Sequence, residues 1–175
     1  MTSFSGARAA YHLFPFLYYN RASVTEPRAF NWLKALRENE AANLRVGAAA
    51  FCWGATLIMP LCADVEKATN GKSLIDAGFT AHPSATKLPD DIERLQKPLS
   101  IANGTQDFQL TVSKMEQVKE IFARKEPGKY ELVVYEGAKH GFAVRGNPKV
   151  ERELKWGLDA EDQAIAWFDK WLVPS

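Results

Sequence analysis

Apolar and polar positions follow two rhythms along this chain. Four short, nearly continuous apolar runs lie at 45–51 (RVGAAAF), 75–81 (IDAGFTA), 99–103 (LSIAN) and 130–135 (YELVVY). Runs of this length predict strands. Between them, apolar residues return once per helical turn. Ala29, Phe30, Leu33 and Leu36 do so after Thr25-Glu26-Pro27, which reads as a helix start. Val112, Met115, Val118 and Phe122 repeat the pattern, with Ser113 and Glu116 spaced as a capping box. Ile165, Phe168, Trp171 and Leu172 form an apolar stripe near the end. Strands alternating with helices predict right-handed crossovers and a mostly parallel sheet with helices on both faces. No repeat, low-complexity tract or long linker divides the chain, so residues 1–175 read as one α/β domain. Four strands make a small sheet for this class.

Composition narrows the function classes. Hydrophobic residues make up 46% and charged residues 25%, as in soluble globular proteins. With 22 Lys and Arg against 21 Asp and Glu, the net charge of +1 gives no electrostatic reason to expect a nucleic-acid partner. No apolar run is long enough to predict a membrane span. Residues 1–25 lack Asp and Glu and carry Arg8 and Arg21, as some transit peptides do. Two arginines are few for that reading, and Pro15 is expected to break an amphipathic helix there. The run from Ala9 to Tyr19 is a poor secretory core, since it holds His12, Pro15 and tyrosines. Two cysteines exclude a disulfide scaffold and favour a reducing compartment, so a cytoplasmic location is expected.

The stretch Val46-Gly-Ala-Ala-Ala-Phe-Cys52-Trp53-Gly54-Ala55 carries the most chemistry. A strand runs directly into a nucleophilic residue, then a glycine, then a helix-compatible segment. That is the layout of a nucleophile elbow, whose sharp turn needs small neighbours two residues to either side. Ala50 and Gly54 supply them. A thiol at a helix N-terminus ionises more easily and is the better nucleophile for it. The competing reading is a buried cysteine filling a strand–helix junction. Cys62, ten residues on, reads as core.

A thiol nucleophile needs a base, and the base needs an orienting acid. His140 follows the last strand in a glycine-flanked loop, at the carboxyl edge where open α/β sheets place their sites. His82 also ends a strand and competes as base, or lines the pocket. Asp107 follows the third strand at the same edge. Asp76 lies at the wrong end of its strand, Asp90 and Asp91 look like a helix start, and Asp159 and Asp162 belong to a solvated face. The order nucleophile, acid, histidine is that of α/β-hydrolases.

With these motifs together, the chain resembles the dienelactone hydrolase family, specifically its fungal branch. The likeness rests on GAAAFCWGA (47–55), IDAGFTAHP (75–83), GAKHGFAVRG (137–146) and EDQAIAWF (161–168), and runs from about residue 12 to 172. It implies an α/β-hydrolase fold and cleavage of lactones or related esters by a Cys-Asp-His triad, with no metal or organic cofactor. Carried over by residue, Cys52 is the nucleophile, Asp107 the orienting acid and His140 the base, with the Trp53 N–H an oxyanion donor. His82, Phe142 and Arg145 are candidates for substrate contact, Arg145 by likeness to an arginine that binds a substrate carboxylate in bacterial relatives.

The chain departs from the family in three ways. The usual elbow reads Gly-x-Cys-x-Gly-Gly, whereas Ala50 and Ala55 hold the outer positions here; Ala55 is expected to crowd the strand–helix contact. The strands that precede the matched region in relatives, with a second oxyanion donor, have no counterpart. The sequence therefore reads as the carboxyl-terminal portion of the fold behind an atypical start, residues 1–11. An open sheet edge that favours self-association is expected. The register of Arg145 is the third departure, and a surface arginine is its other reading. The expected partner is a small ester or lactone, not a nucleic acid or a membrane. The alternatives are a weak or silent relative with a binding or structural role, and a redox role for Cys52.

Overall fold

A computed structural model describes residues 6–174; residues 1–5 of the atypical start lie outside it. Four strands form one sheet in the order β1 (Gly47–Phe51), β2 (Ala77–Ala81), β3 (Leu99–Gln106) and β4 (Tyr130–Lys139). All three pairings are parallel, with Gly47 beside Ala77, Gly78 beside Leu99, and Leu99 beside Tyr130. Sequential order with parallel pairing sends every crossover over the same face. That face is covered by α2 (Ala22–Glu38), α3 (Ala55–Cys62), α4 (Asp90–Glu93) and α5 (Val112–Ala123). Their residues Phe30, Leu33, Ile58, Ile92, Met115 and Val118 form the larger core with Leu99 and Ile101. On the opposite face, α6 (Phe142–Arg145) and α7 (Glu151–Leu172) bring Phe142 and Ala160 against Phe79, Ala81, Ala102 and Tyr135.

The predicted strands all form, β3 and β4 running further than their apolar runs. β2 is buried at every position, as its unbroken apolar run requires. β1 is not, because it is an edge strand and, among the described residues, pairs only with β2; Phe51 remains 39% exposed. Close packing behind the sheet fixes Cys62 as core: a Cβ at Gly78 would lie 2.4 Å from its sulfur. Asp76, at the amino end of β2, accepts the backbone N–H of Val46 at 2.7 Å and the guanidinium of buried Arg37. Arg37 also bonds the carbonyls of Ser73 and Leu44, so one ion pair ties α2 to the far edge of the sheet.

Helix boundaries depart from expectation. α2 begins at Ala22, a turn before the expected start, and Pro27 lies inside it. α1 (Gly6–Tyr19) likewise runs through Pro15. Proline removes its own N–H bond to the preceding turn, and the turns to either side still hold. α5 starts at Val112 with Thr111 ahead of it and no side-chain cap, so Ser113 and Glu116 form no capping box; Glu116 pairs with Lys119 instead. The stripe on α7 is displaced. Ala160 and Trp167 are buried, whereas Ile165 is 53% exposed. Ile165 lies beside Phe51 on an apolar cavity of about 510 Å³ between the β1 edge and α7, also lined by Phe79, Phe142 and Phe168. No helix among the described residues is long and apolar enough to cross a membrane.

Candidate active site

Parallel strands end on the same side, and here the residue after each strand carries a reactive side chain. Cys52 follows β1, His82 follows β2, Asp107 follows β3 and His140 follows β4. The register that buries the sheet therefore gathers four residues spread over 88 positions.

Cys52 opens a single 3₁₀ turn, Cys52–Gly54, which leads into α3. Its φ is +54°, the left-handed conformation that costs a side-chain-bearing residue strain and marks an elbow. A Cβ at Gly54 would lie 3.2 Å from the Ala50 methyl, which shows why both positions are small. Ala55 is 1% exposed at the first position of α3, so the junction accommodates the methyl expected to crowd it.

The His140 ring lies between thiol and acid. Its Nε2 is 3.1 Å from Cys52 Sγ and its Nδ1 is 2.9 Å from Asp107 Oδ2. The Asp107 side chain is fully enclosed. Its other oxygen accepts the N–H groups of Gln109 at 2.7 Å and Leu110 at 3.3 Å, which fixes the carboxylate's orientation. Gly141 follows at φ +92°, turning the chain into α6. Burial pushes the Cys52 thiol up, but bonds from His140, Ser84 and the Trp53 N–H outweigh it and hold the thiol below its ordinary range.

His82 does not hydrogen-bond the thiol; His140 does. The His82 ring is wholly buried against His140, Phe142 and Phe51, with centroid distances of 5.1, 5.7 and 6.2 Å. Burial, and then the neighbouring His140, lower its pKa to about 4, so the imidazole is neutral at ordinary pH. Phe142 is buried and forms a wall. Arg145 is exposed, and its guanidinium folds over Gly141, where a Cβ would lie 2.7 Å away. It borders a cavity of about 370 Å³ shared with Lys139, His140 and Arg152. The Trp53 ring meets Phe16 of α1 edge-on at 5.8 Å.

Two neighbours escaped the sequence reading. Ser84 Oγ lies 3.6 Å from Cys52 Sγ and 3.4 Å from His140 Nε2, while its N–H donates to the Cys52 carbonyl at 3.0 Å. Phe108 is 71% exposed, with its ring 5.0 Å from that of His140. The available signal was position: each directly follows, or lies two residues beyond, a strand-end residue of interest.

A parallel sheet with a strand–turn–helix elbow at its carboxyl edge, followed along the chain by an acid and then a histidine at that same edge, defines the α/β-hydrolase class. The profile of the dienelactone hydrolase family matches residues 7–172, and the chain belongs to that family. Among curated relatives it is 26% identical over 148 residues to hydrolase pyvD of Aspergillus violaceofuscus, covering 85% of this chain and 56% of that protein. It is 30% identical over 130 residues to hydrolase tropI of Talaromyces stipitatus, covering 73% and 46%. The chain thus spans about half the length of these relatives. Among solved structures, a dienelactone hydrolase-like promiscuous phosphotriesterase, P91, from metagenomic libraries superposes with a TM-score of 0.63 at 18% identity, over 97% of this chain and 70% of that one. Esterase 2 of Thermogutta terrifontis does so at 0.59 and 18%, over 85% and 67%. At that identity, both likenesses speak for the fold.

Proposed function

We propose that the chain hydrolyses a small carboxylic ester or lactone through Cys52, His140 and Asp107. The observation that carries this is the unbroken contact from thiol to imidazole to enclosed carboxylate, at 3.1 and 2.9 Å. His140 Nε2 takes the thiol proton, and the Cys52 sulfur attacks the ester carbonyl. The Trp53 N–H, already directed at the sulfur, is placed to donate to the oxyanion. The imidazolium gives its proton to the departing alcohol or enol. Water, deprotonated by the same nitrogen, then cleaves the thioester and returns the sulfur to its starting state. Asp107 holds the proton of the neutral ring on Nδ1, so that Nε2 can accept.

A second reading, a relative that is acylated but turns over slowly, is favoured by one observation. Cys52 sits at the end of the edge strand, with Phe51 partly open beside it. Loss of one oxyanion donor from such a site costs about 10²–10³ in rate.

The test is hydrolysis of an activated aryl ester by the purified chain beside its Cys52→Ala variant, with burst and steady state recorded. Turnover lost in the variant supports the triad. A burst without turnover supports the slow relative. Equal turnover in both proteins would overturn the assignment of Cys52.

A further inference from the structure

His82 is a residue that the hydrolytic mechanism leaves unused. It is wholly buried, yet neither ring nitrogen has a hydrogen-bond partner among the described residues. Buried polar groups are rarely left so, and each exception calls for an explanation. Its backbone is strained as well, with φ at +41°. A ligand on one of these nitrogens would supply a partner that the fold does not.

One ring nitrogen of His82, one of His140 and the Cys52 sulfur all lie within 4.8 Å of one another. We propose that Cys52, His82 and His140 form a binding site for a thiophilic divalent cation, represented by Zn²⁺, and that its occupancy switches the nucleophile off. A sulfur with two imidazoles suits Zn²⁺, Cd²⁺ or Co²⁺ and rejects Mg²⁺ and Ca²⁺, which prefer oxygen. In a tetrahedral site with Zn–S near 2.3 Å and Zn–N near 2.0 Å, sulfur and nitrogen stand about 3.5 Å apart. Side-chain shifts of about 1 Å bring the three donors to that spacing.

The surrounding groups already suit a metal ligand set. Asp107 on Nδ1 leaves His140 only Nε2 to offer, the carboxylate–histidine arrangement that supports zinc ligands elsewhere. One position of a tetrahedral ion stays open for water. The proton balance is simple. Cys52 and His140 share one proton between sulfur and Nε2, and the entering cation displaces it to solvent. His82 keeps a proton on one nitrogen and binds through the other.

The inhibitory consequence rests on the hydrolase reading; the metal site does not, and the assay separates them. Alkylation of Cys52 by iodoacetamide, followed by mass spectrometry, needs no ester turnover. Equimolar Zn²⁺ is expected to protect Cys52, EDTA to restore alkylation, and Mg²⁺ to do neither. Cd²⁺ is expected to give the ultraviolet thiolate-to-metal absorption. His82→Gln, which preserves bulk, is expected to weaken protection by more than about 100-fold, beyond the ~10–100-fold of losing an outer-shell partner. Protection of the Gln variant at the wild-type Zn²⁺ concentration, or none in the wild type, would overturn the site. Should the Gln variant not fold, ring-nitrogen NMR of the wild type decides the question. Zn²⁺ must shift the signals of both His82 and His140, and a shift confined to His140 would overturn the proposal. Zn²⁺ protection in a chain that hydrolyses no ester would leave the site standing and remove the hydrolase reading.

Discussion

Replacing Asp107 by Asn tests the proposed division of labour most sharply, because the surroundings dictate how the amide must lie. One carboxylate oxygen accepts two backbone N–H groups, from Gln109 at 2.7 Å and Leu110 at 3.3 Å. The Asn carbonyl must take that place, since the NH₂ group there would face two donors. The NH₂ group then points at His140 Nδ1, where the carboxylate stood at 2.9 Å. A donor there requires a lone pair on Nδ1, so the ring proton moves to Nε2. Nε2 then cannot accept the Cys52 proton. Full enclosure of the side chain denies water any means of repairing the mismatch. The expected loss in kcat/KM near neutral pH is about 10⁴-fold, or about 5.5 kcal/mol of transition-state stabilisation. The fold is expected to persist, because both backbone bonds survive. The pH profile separates this cause from a structural one. The variant's rate should climb as pH rises into the range where an unassisted thiol ionises, while the wild-type rate has already levelled. Activity within about tenfold of wild type at neutral pH would refute the tautomer argument.

Other consequences follow from the same geometry. The thiol of Cys52 is held below its ordinary range, so its thiolate persists at lower pH, and the midpoint of its alkylation rate should fall below that of a free thiol. Cys62, wholly buried and pushed up by that burial, should stay unmodified in the folded chain, as peptide mapping can show. Ser84→Ala removes one donor to the sulfur and should raise the alkylation midpoint, whereas Ser84→Thr keeps the hydroxyl and should restore it; an unchanged midpoint in both would reduce Ser84 to packing. Gly104→Ala would place a methyl 2.1 Å from the Ala138 carbonyl oxygen, on the strand pair that carries Asp107 and His140. Neither backbone can yield, so the loss in urea unfolding should be about 3 kcal/mol or more, and a change under about 1 kcal/mol would contradict the packing described.

The elbow was legible because its chemistry is local. A strand, a cysteine and two small residues at fixed spacing are a backbone requirement that the order of residues states directly. The four strands were legible for a similar reason, each being a compact apolar run. Helix ends were less so. Pro27 carries the local signal of a helix start yet lies inside a longer helix, since packing of Phe30 and Leu33 outweighs a cap worth about 1 kcal/mol, and the start of α5 lies two residues ahead of the expected cap, at Thr111 instead of Ser113. The stripe on α7 was misplaced because its periodicity gave no indication that the sheet beneath it ends at β1, leaving Ile165 over a cavity.

By itself, then, the order of residues determined the α/β class, the elbow at Cys52 and the short list of acids and histidines at strand ends. Tertiary structure sets which of them meet. That His140 and not His82 presents a nitrogen to the sulfur is a matter of a few ångströms set by strand register and by Gly141. The pairing of Ser84 with the thiol and the isolation of the His82 nitrogens depend likewise on loops brought together from distant positions. Hydrogen bonds discriminate over fractions of an ångström, whereas sequence patterns resolve only which face or edge a residue reaches.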